Sequence, residues 1–403
     1  MQPLKSKRIL LGVTGSIACY KAADFASKLS QLGAQVDVVL TSAATKFIAP
    51  LTFQSVTGRH AYTDEDLWGP QGHVLHVSLG KEAELIVIAP ATANTLAKLA
   101  HGQADNLLTL AALASNAPVL LAPAMDGGMY MHPATQANLE TLKMRGAHII
   151  GPVTGHLASG LSGLGRMVEP DQLVGHVRYL LGRDGPLAGR RVLVTAGGTQ
   201  EAIDPVRSIT NRSSGKQGYA LAQAALDMGA EVTLISGPTA LEIPVDAELV
   251  RVTGAEEMLK AVLNEVKTAD ALLMAAAVAD FRPAKATKKK IKRAVGPPTI
   301  ELMNSPDILL EVSKAKGKRT KPHIIVGFAA ETEDLLKNAK HKLDAKTLDL
   351  IVANDINDEE AGFEVDTNRV ILLDKAGNKE ELPLMSKAEV ARIVLERVAA
   401  LLG

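Results

Sequence analysis

The sequence predicts an α/β protein of two doubly wound, Rossmann-like domains with mainly parallel sheets, and three observations carry that prediction. Aliphatic runs at residues 8–13, 35–41, 85–89 and 119–122 alternate with stretches long enough for helices, the spacing of parallel βαβ units. Small aliphatic residues dominate while aromatics make up 3 %, the usage of strands buried on both faces. The second half then restarts the first: RRVLVTAGGTQ echoes KRILLGVTGSI, and about one helix later DMGAEVTLISG echoes QLGAQVDVVLTS. Duplication and two domains solving one packing problem both account for the echo.

At 403 residues the chain exceeds one ordinary core, at about 150 residues per domain. The pattern breaks in the glycine-rich stretch 182–189 (GRDGPLAG), which sets the expected domains at 1–185 and 186–403. Lys and Arg number 44 and Asp and Glu 44, so no global field favours nucleic acid or an anionic membrane. Cys19 is the single cysteine, which excludes an intramolecular disulfide framework and a thiolate-rich metal site and fits a reducing compartment. No apolar run approaches the roughly 18 residues of a membrane span, and the polar start carries no targeting pattern. The expectation is a cytoplasmic protein with neither a nucleic-acid nor a membrane partner.

In the first half, Gly12-Val13-Thr14-Gly15-Ser16-Ile17 follows the first predicted strand and enters a helix, where backbone N–H groups and the helix dipole hold a phosphate. A dinucleotide site would show G-x-G-x-x-G and an acidic residue closing the second strand, as an NAD-dependent oxidoreductase requires. Here that strand closes on Thr41-Ser42, and hydroxyls at that point favour a mononucleotide such as FMN. Two loops follow further strands, Ala89-Pro90-Ala91-Thr92-Ala93-Asn94-Thr95 and Ala122-Pro123-Ala124-Met125-Asp126, with His76 ahead of the first. Singly, such a histidine is most often packed or on the surface, and such a proline a strand stop. Their joint spacing resembles the family of FMN-dependent cysteine decarboxylases.

The resemblance implies that Gly15, Ser16 and Ile17, with Pro90 through Ala91, Thr92, Ala93 and Asn94 to Thr95, bind FMN, flanked by Thr41, Ser42 and Met125. It makes His76, fourteen residues before Pro90, the catalytic histidine rather than His73. The implied chemistry is flavin oxidation of the cysteinyl thiol carbon to a thioaldehyde, loss of the neighbouring carboxylate, then protonation and reduction of the enethiolate. Two positions depart from the family pattern. Asp126 stands for the asparagine that contacts the substrate carboxylate, and Ser159, within 156–160, for the proton-donating cysteine of the substrate-clamping loop, while the clamp segment 160–169 is retained. A hydroxyl is a poorer acid than a thiol, and an ionised Asp126 repels a carboxylate. Three readings of this half remain: a complete decarboxylase with another proton donor, which the retained flavin turns favour, an oxidative decarboxylase stopping at the enethiol, and a flavin-bound relic.

In the second half, residues 272–280 (LLMAAAVAD) read as a buried strand whose end offers small residues and one carboxylate, Asp280. A lysine-rich run over 285–293 follows, without the aromatic platforms that single-stranded nucleic acid requires. Lys342 and Lys346 lie four apart on one face of a predicted helix. Cations near a strand-end carboxylate suit a triphosphate with Mg²⁺. AAVADFR, KIK, NSPDIL, GFAAET, the lysine pair and AND, in this order, resemble bacterial phosphopantothenate-cysteine ligases. The resemblance implies CTP contacts at Met274, Ala275, Ala276, Asp280, Lys290, Pro306, Asp307, Ile308, Leu309, Phe328, Lys342 and Lys346. It also implies phosphopantothenate contacts at Arg207 and Asn211, Mg²⁺ near Asp280, and catalytic roles for Lys290 and Asn211. The chain is thus expected to couple phosphopantothenate to cysteine through an acyl-cytidylate, to decarboxylate the product, and to form a homo-oligomer. The non-enzymatic alternative is a nucleotide-binding module.

Overall fold

The computed structural model describes residues 4–69, 74–158, 160, 162–292, 299–316, 321–331, 335–355 and 365–403. It divides into two compact units, Met1–Leu181 and Gly182–Gly403.

In the first unit β1 (Arg8–Val13), β2 (Gln35–Leu40), β3 (Ala61–Tyr62), β4 (Leu85–Ala91), β5 (Val119–Pro123) and β6 (His148–Ile149) form one sheet in the order 3-2-1-4-5-6. Every neighbouring pair in it is parallel. Its helices are α1 (Cys19–Gln31), α2 (Pro50–Thr57), α3 (Leu75–Glu82), α4 (Ala93–His101), α5 (Leu107–Leu113), α6 (Gly127–Met131), α7 (Pro133–Met144) and α8 (Pro170–Gly182). Successive side chains of a strand point to opposite faces, so β1 serves two cores. Ile9, Leu11 and Val13 join Phe25 of α1, Phe53 of α2 and Val177 of α8, while Leu10 joins Leu96 of α4 and Leu107 of α5. The order reverses between β1 and β4, and at such a switch the loops leaving the strand ends splay apart and leave a ligand crevice. An antiparallel hairpin, β7 (Val153–His156) with β8 (Ser162–Arg166), follows the sheet.

The second unit repeats this plan. The strands β9 (Arg191–Ala196), β10 (Gln200–Ala202), β11 (Ser208–Thr210), β12 (Glu231–Ser236), β13 (Glu248–Arg251), β14 (Ala271–Met274), β15 (Phe281–Pro283) and β16 (Leu302–Asn304) are followed by β17 (Ile324–Glu331), β18 (Leu350–Asp355), β19 (Thr367–Asn368), β20 (Val370–Asp374), β21 (Lys379–Glu381) and β22 (Met385–Ser386). The large sheet runs β13-β12-β9-β14-β17-β18-β20-β21, parallel except for its last two strands. Among the helices, α9 (Lys216–Asp227) and α13 (Lys387–Leu402) pack on one face through Leu221, Val390 and Val394, and α10 (Ala255–Glu265), α11 (Ile308–Lys316) and α12 (Leu335–Ala345) on the other through Met258, Val312 and Leu343.

The strand expected over 272–280 ends at Met274. Beyond it the N–H groups of Ala276 and Ala279 donate to the hydroxyls of Thr195 and Thr199, at 3.1 and 3.0 Å, instead of to a ladder partner. The segment keeps one parallel bridge, Ala277 to Gly198, and otherwise continues as a loop of small residues. No helix among the described residues is long and apolar enough to cross a membrane.

Candidate active sites

In the first unit, buried Thr14 joins the two loops at the switch. Its hydroxyl donates to the Pro90 carbonyl at 2.7 Å and accepts the Thr92 N–H at 3.1 Å. Gly15 opens the turn into α1, and a Cβ on it would meet Ala43 Cβ at 2.5 Å, so the turn fits against the loop after β2 only without a side chain. In that neighbouring loop Thr41 accepts the Ala44 N–H. Ser16 accepts the Ala18 N–H, and Ile17 is exposed. Thr92 caps α4 by accepting the Thr95 N–H, which leaves Ala93 and Asn94 on the first turn of that helix, with Asn94 exposed. Pro90 and Ala91 are buried at the end of β4. The two loops that carry the expected FMN residues are therefore held together at the strand ends by Thr14.

His76 lies in the first turn of α3, and its Nδ1 is buried without a hydrogen-bond partner among the described residues. Asp126 caps α6 by accepting the Gly128 N–H at 2.8 Å and is exposed. The hairpin β7–β8 docks on this loop: Met125 N–H donates to Gly165 O at 3.1 Å, and Gly165 has φ +145° with Met125 O only 2.1 Å from where a Cβ would stand. Ser159 lies outside the described residues, as does His73. Cys19 is buried in α1 with its thiol against Thr14 O, and burial pushes that thiol up, so it is no substitute for a clamp cysteine.

Lys21, one helical turn past the phosphate-turn residues, is almost fully buried. Its Nζ donates to Met167 O at 2.8 Å and Glu169 Oε1 at 2.9 Å, and Arg166 also reaches Glu169. The Lys21 hydrogen bond holds the Glu169 carboxyl below the usual carboxylate range. The base of the hairpin is thus tied to α1.

The second unit holds a cleft of about 680 Å³ at its own switch, between the ends of β9 and β14. Asn211, Met274, Ala275, Ala276, Asp280, Pro306, Asp307, Ile308, Leu309, Phe328 and Lys346 all line it. Lys346 Nζ pairs with Asp307 Oδ2 at 2.9 Å, and Asn211 Nδ2 donates to Val278 O at 3.1 Å. Lys290, Lys342 and Arg207 are not among the lining residues. Lys342 lies on α12, one turn before Lys346. Asp280 is the expected metal ligand, and among the described residues no three His, Cys, Asp or Glu side chains gather into a metal-holding group.

Asp204 ties the backbone of Arg207 to that of Ile291, the residue after Lys290. Its carboxylate accepts the N–H groups of Val206 and Arg207 at 2.8 and 2.9 Å, and that of Ile291 at 3.1 Å. The backbone donors, Val206 foremost, hold the Asp204 carboxyl below its ordinary value. Arg207 also donates to Ile291 O. Sequence reasoning placed Asp204 only within the segment 204–207 that resembles the phosphopantothenate-binding region of the ligases, and it gave no role to Ser305, Asn368 or Lys387, which line the cleft. Ser305 Oγ and Asn368 Oδ1 are buried without partners among the described residues.

Residues 1–182 match the family model described as "Flavoprotein", and residues 187–402 match "DNA/pantothenate metabolism flavoprotein C-terminal domain". The Coenzyme A biosynthesis bifunctional protein CoaBC of Bacillus subtilis is 46 % identical over 401 residues, 99 % of this chain and 98 % of its own. Among solved structures, the C-terminal domain of a coenzyme A biosynthesis bifunctional protein is 42 % identical, covering 54 % of this chain and 98 % of its own, with TM-score 0.46. A PPC decarboxylase mutant complexed with pantothenoylaminoethenethiol is 35 % identical, covering 43 % of this chain and 97 % of its own, with TM-score 0.40. On full-length identity and two matched domain models, the chain belongs to the family of bifunctional coenzyme A biosynthesis proteins.

Proposed function

We propose that residues 186–403 couple 4'-phosphopantothenate to L-cysteine at the expense of CTP, and that residues 1–185 decarboxylate the product to 4'-phosphopantetheine. The observation that carries the reading is the second unit's cleft, which gathers eleven of the expected ligase residues at a strand-end switch. A carboxylate does not react with an amine at neutral pH. In the proposed first step it attacks the CTP α-phosphorus, an O–P bond forms, and pyrophosphate leaves. The cysteine amino group then attacks the acyl carbon, cytidine monophosphate departs, and one proton is released. Asn211 hydrogen-bonds the acyl-cytidylate, and Lys290 offsets phosphate charge from the segment that Asp204 holds. One carboxylate, Asp280, suits Mg²⁺ held mainly by substrate phosphates and water. Lys342 contributes charge from the helix that precedes Lys346.

For the first unit, bound FMN would supply two-electron oxidation of the cysteinyl thiol carbon, which makes loss of the adjacent carboxylate feasible. The turn at Gly15 to Ile17 and the loop from Pro90 to Thr95 hold its phosphate end, with Thr41, Ser42 and Met125 beside it. The desolvated Nδ1 of His76 fits a base that finds its partner only in the complex. Asp126 faces the departing carboxylate and Ser159 takes the clamp-cysteine position, so protonation of the product falls to another donor. Exposed Ile17 and Tyr20 beside the flavin turn support a homo-oligomer that covers them. We place the enzyme in the cytoplasm.

Incubating the protein with phosphopantothenate, cysteine, CTP and Mg²⁺ and weighing the products tests the whole scheme. Phosphopantetheine is the expected product. Phosphopantothenoylcysteine alone confines activity to the ligase, a product two hydrogens lighter than phosphopantetheine marks a decarboxylase stopping at the enethiol, and pyrophosphate without coupling overturns the ligase reading.

A further inference from the structure

One wall of the second unit's cleft is built from residues that neither proposed half-reaction uses. β19 pairs antiparallel with β22 in the register Asn368↔Met385, and β22 runs directly into α13, whose first residue is Lys387. The ladder continues with the Lys387 N–H donating to Asp366 O, which leaves Asn368 two positions along the partner strand, and Gln217 hydrogen-bonds to both Asn368 and Lys387. Both are 6 % exposed and both line the cleft. Gln217 fixes the orientation of the Asn368 amide: Gln217 Nε2 donates to Lys387 O at 3.2 Å, so its Oε1 is the atom that accepts Asn368 Nδ2 at 3.5 Å. The Asn368 oxygen is left as the buried atom without a partner among the described residues. An acceptor withdrawn from water and unpaired is destabilising, so a ligand that brings an N–H or O–H donor is favoured there.

The surrounding charge narrows the choice. Lys387 Nζ donates to Val365 O, and Lys216, paired with Asp366 at 2.6 Å, stands close by. Burial first, then Lys216, lowers the proton affinity of Lys387, which an anionic ligand would restore. A bare phosphate would answer the lysines but offer Asn368 no donor. A nucleobase amino group would answer Asn368 but not the lysines. An α-amino acid carries both groups on one carbon.

We propose that Asn368 and Lys387 form the subsite for the amino-acid substrate, Asn368 Oδ1 accepting an N–H of its amino group and Lys387 meeting its carboxylate. The inference rests on the ligase reading above. Two neighbouring cations also disfavour an ammonium, so the same wall delivers the amine neutral and nucleophilic, its proton lost to solvent.

The test separates the half-reactions in the full-length protein. Phosphopantothenate-dependent exchange of labelled pyrophosphate into CTP needs no cysteine and reports a folded site. Asn368→Ala and Lys387→Met are expected to retain this exchange while raising KM for cysteine roughly tenfold or more. Wild type should prefer cysteine over cysteamine, which lacks the carboxylate, and Lys387→Met should flatten that preference. An unchanged KM for cysteine overturns the proposal. So does exchange that falls in step with coupling, which would assign the wall to the nucleotide. Wild-type protein without exchange would instead defeat the ligase reading itself.

Discussion

Single residues fix the geometry of both sites, and the most consequential are polar groups taken out of water. Lys21 belongs to the flavin-turn motif, yet its buried ammonium reaches 146 positions along the chain to Met167 O. Lys21→Met strands that carbonyl and leaves Glu169 paired with Arg166, and is expected to cost about 1–3 kcal/mol in chemical denaturation. Glu169→Gln, whose carboxylate is half exposed, should cost under about 1 kcal/mol. Asp204 makes a pH prediction. Its folded value is depressed, so its contribution is complete above the ordinary carboxylate value of about 4 and is lost as pH falls through the lower folded value. The difference in thermal stability between wild type and Asp204→Asn should stay constant from neutrality down to about pH 5 and shrink below about pH 4. These roles were not legible in the sequence, because each depends on partners that only the fold brings near. The departures Asp126 and Ser159 were legible, since a motif defines the position it lacks.

At the scale of elements, the two halves share a device. A threonine at the end of the central strand of each sheet, Thr14 just past β1 and Thr195 next to last in β9, uses its hydroxyl to hold the loop that leaves the neighbouring strand across the switch. The two threonines are not at equivalent positions of the echo between KRILLGVTGSI and RRVLVTAGGTQ, where Thr14 falls on Gly197, so the two halves reach this device from different positions. Thr14→Val and Thr195→Val keep shape but orphan the Thr92 and Ala276 N–H groups. Each is expected to destabilise its own unit by about 1–3 kcal/mol. Thr14→Val should also weaken FMN binding in a fluorescence titration, with CTP affinity unchanged. Aliphatic runs located the central strands because parallel strands buried on both faces must be continuously apolar. The same logic overextended β14: small apolar residues suit a buried strand and a loop pressed against strand ends alike, and only the hydroxyls of Thr195 and Thr199 decide between them. Asn368 and Lys387 carried no signal, being nineteen positions apart with no motif between them.

At the scale of the whole molecule, each unit has its own sheet, its own switch and its own candidate site, so the two reactions should be separable by single substitutions. The chemistry sets their order, because decarboxylation needs the cysteinyl carboxylate that coupling introduces. His76→Asn removes the proposed base while leaving the second unit's cleft intact, and phosphopantothenoylcysteine should accumulate at close to the wild-type coupling rate. Asn211→Ala removes the contact to the acyl intermediate and should slow both products from phosphopantothenate by roughly ten- to hundredfold, the effect of one hydrogen bond to a developing charge. Supplying phosphopantothenoylcysteine directly should restore full decarboxylation in Asn211→Ala but not in His76→Asn. Mass analysis of the two variants under both feeding regimes yields four outcomes, and only independent sites produce this crossed pattern. A shared site would make both variants deficient under both regimes.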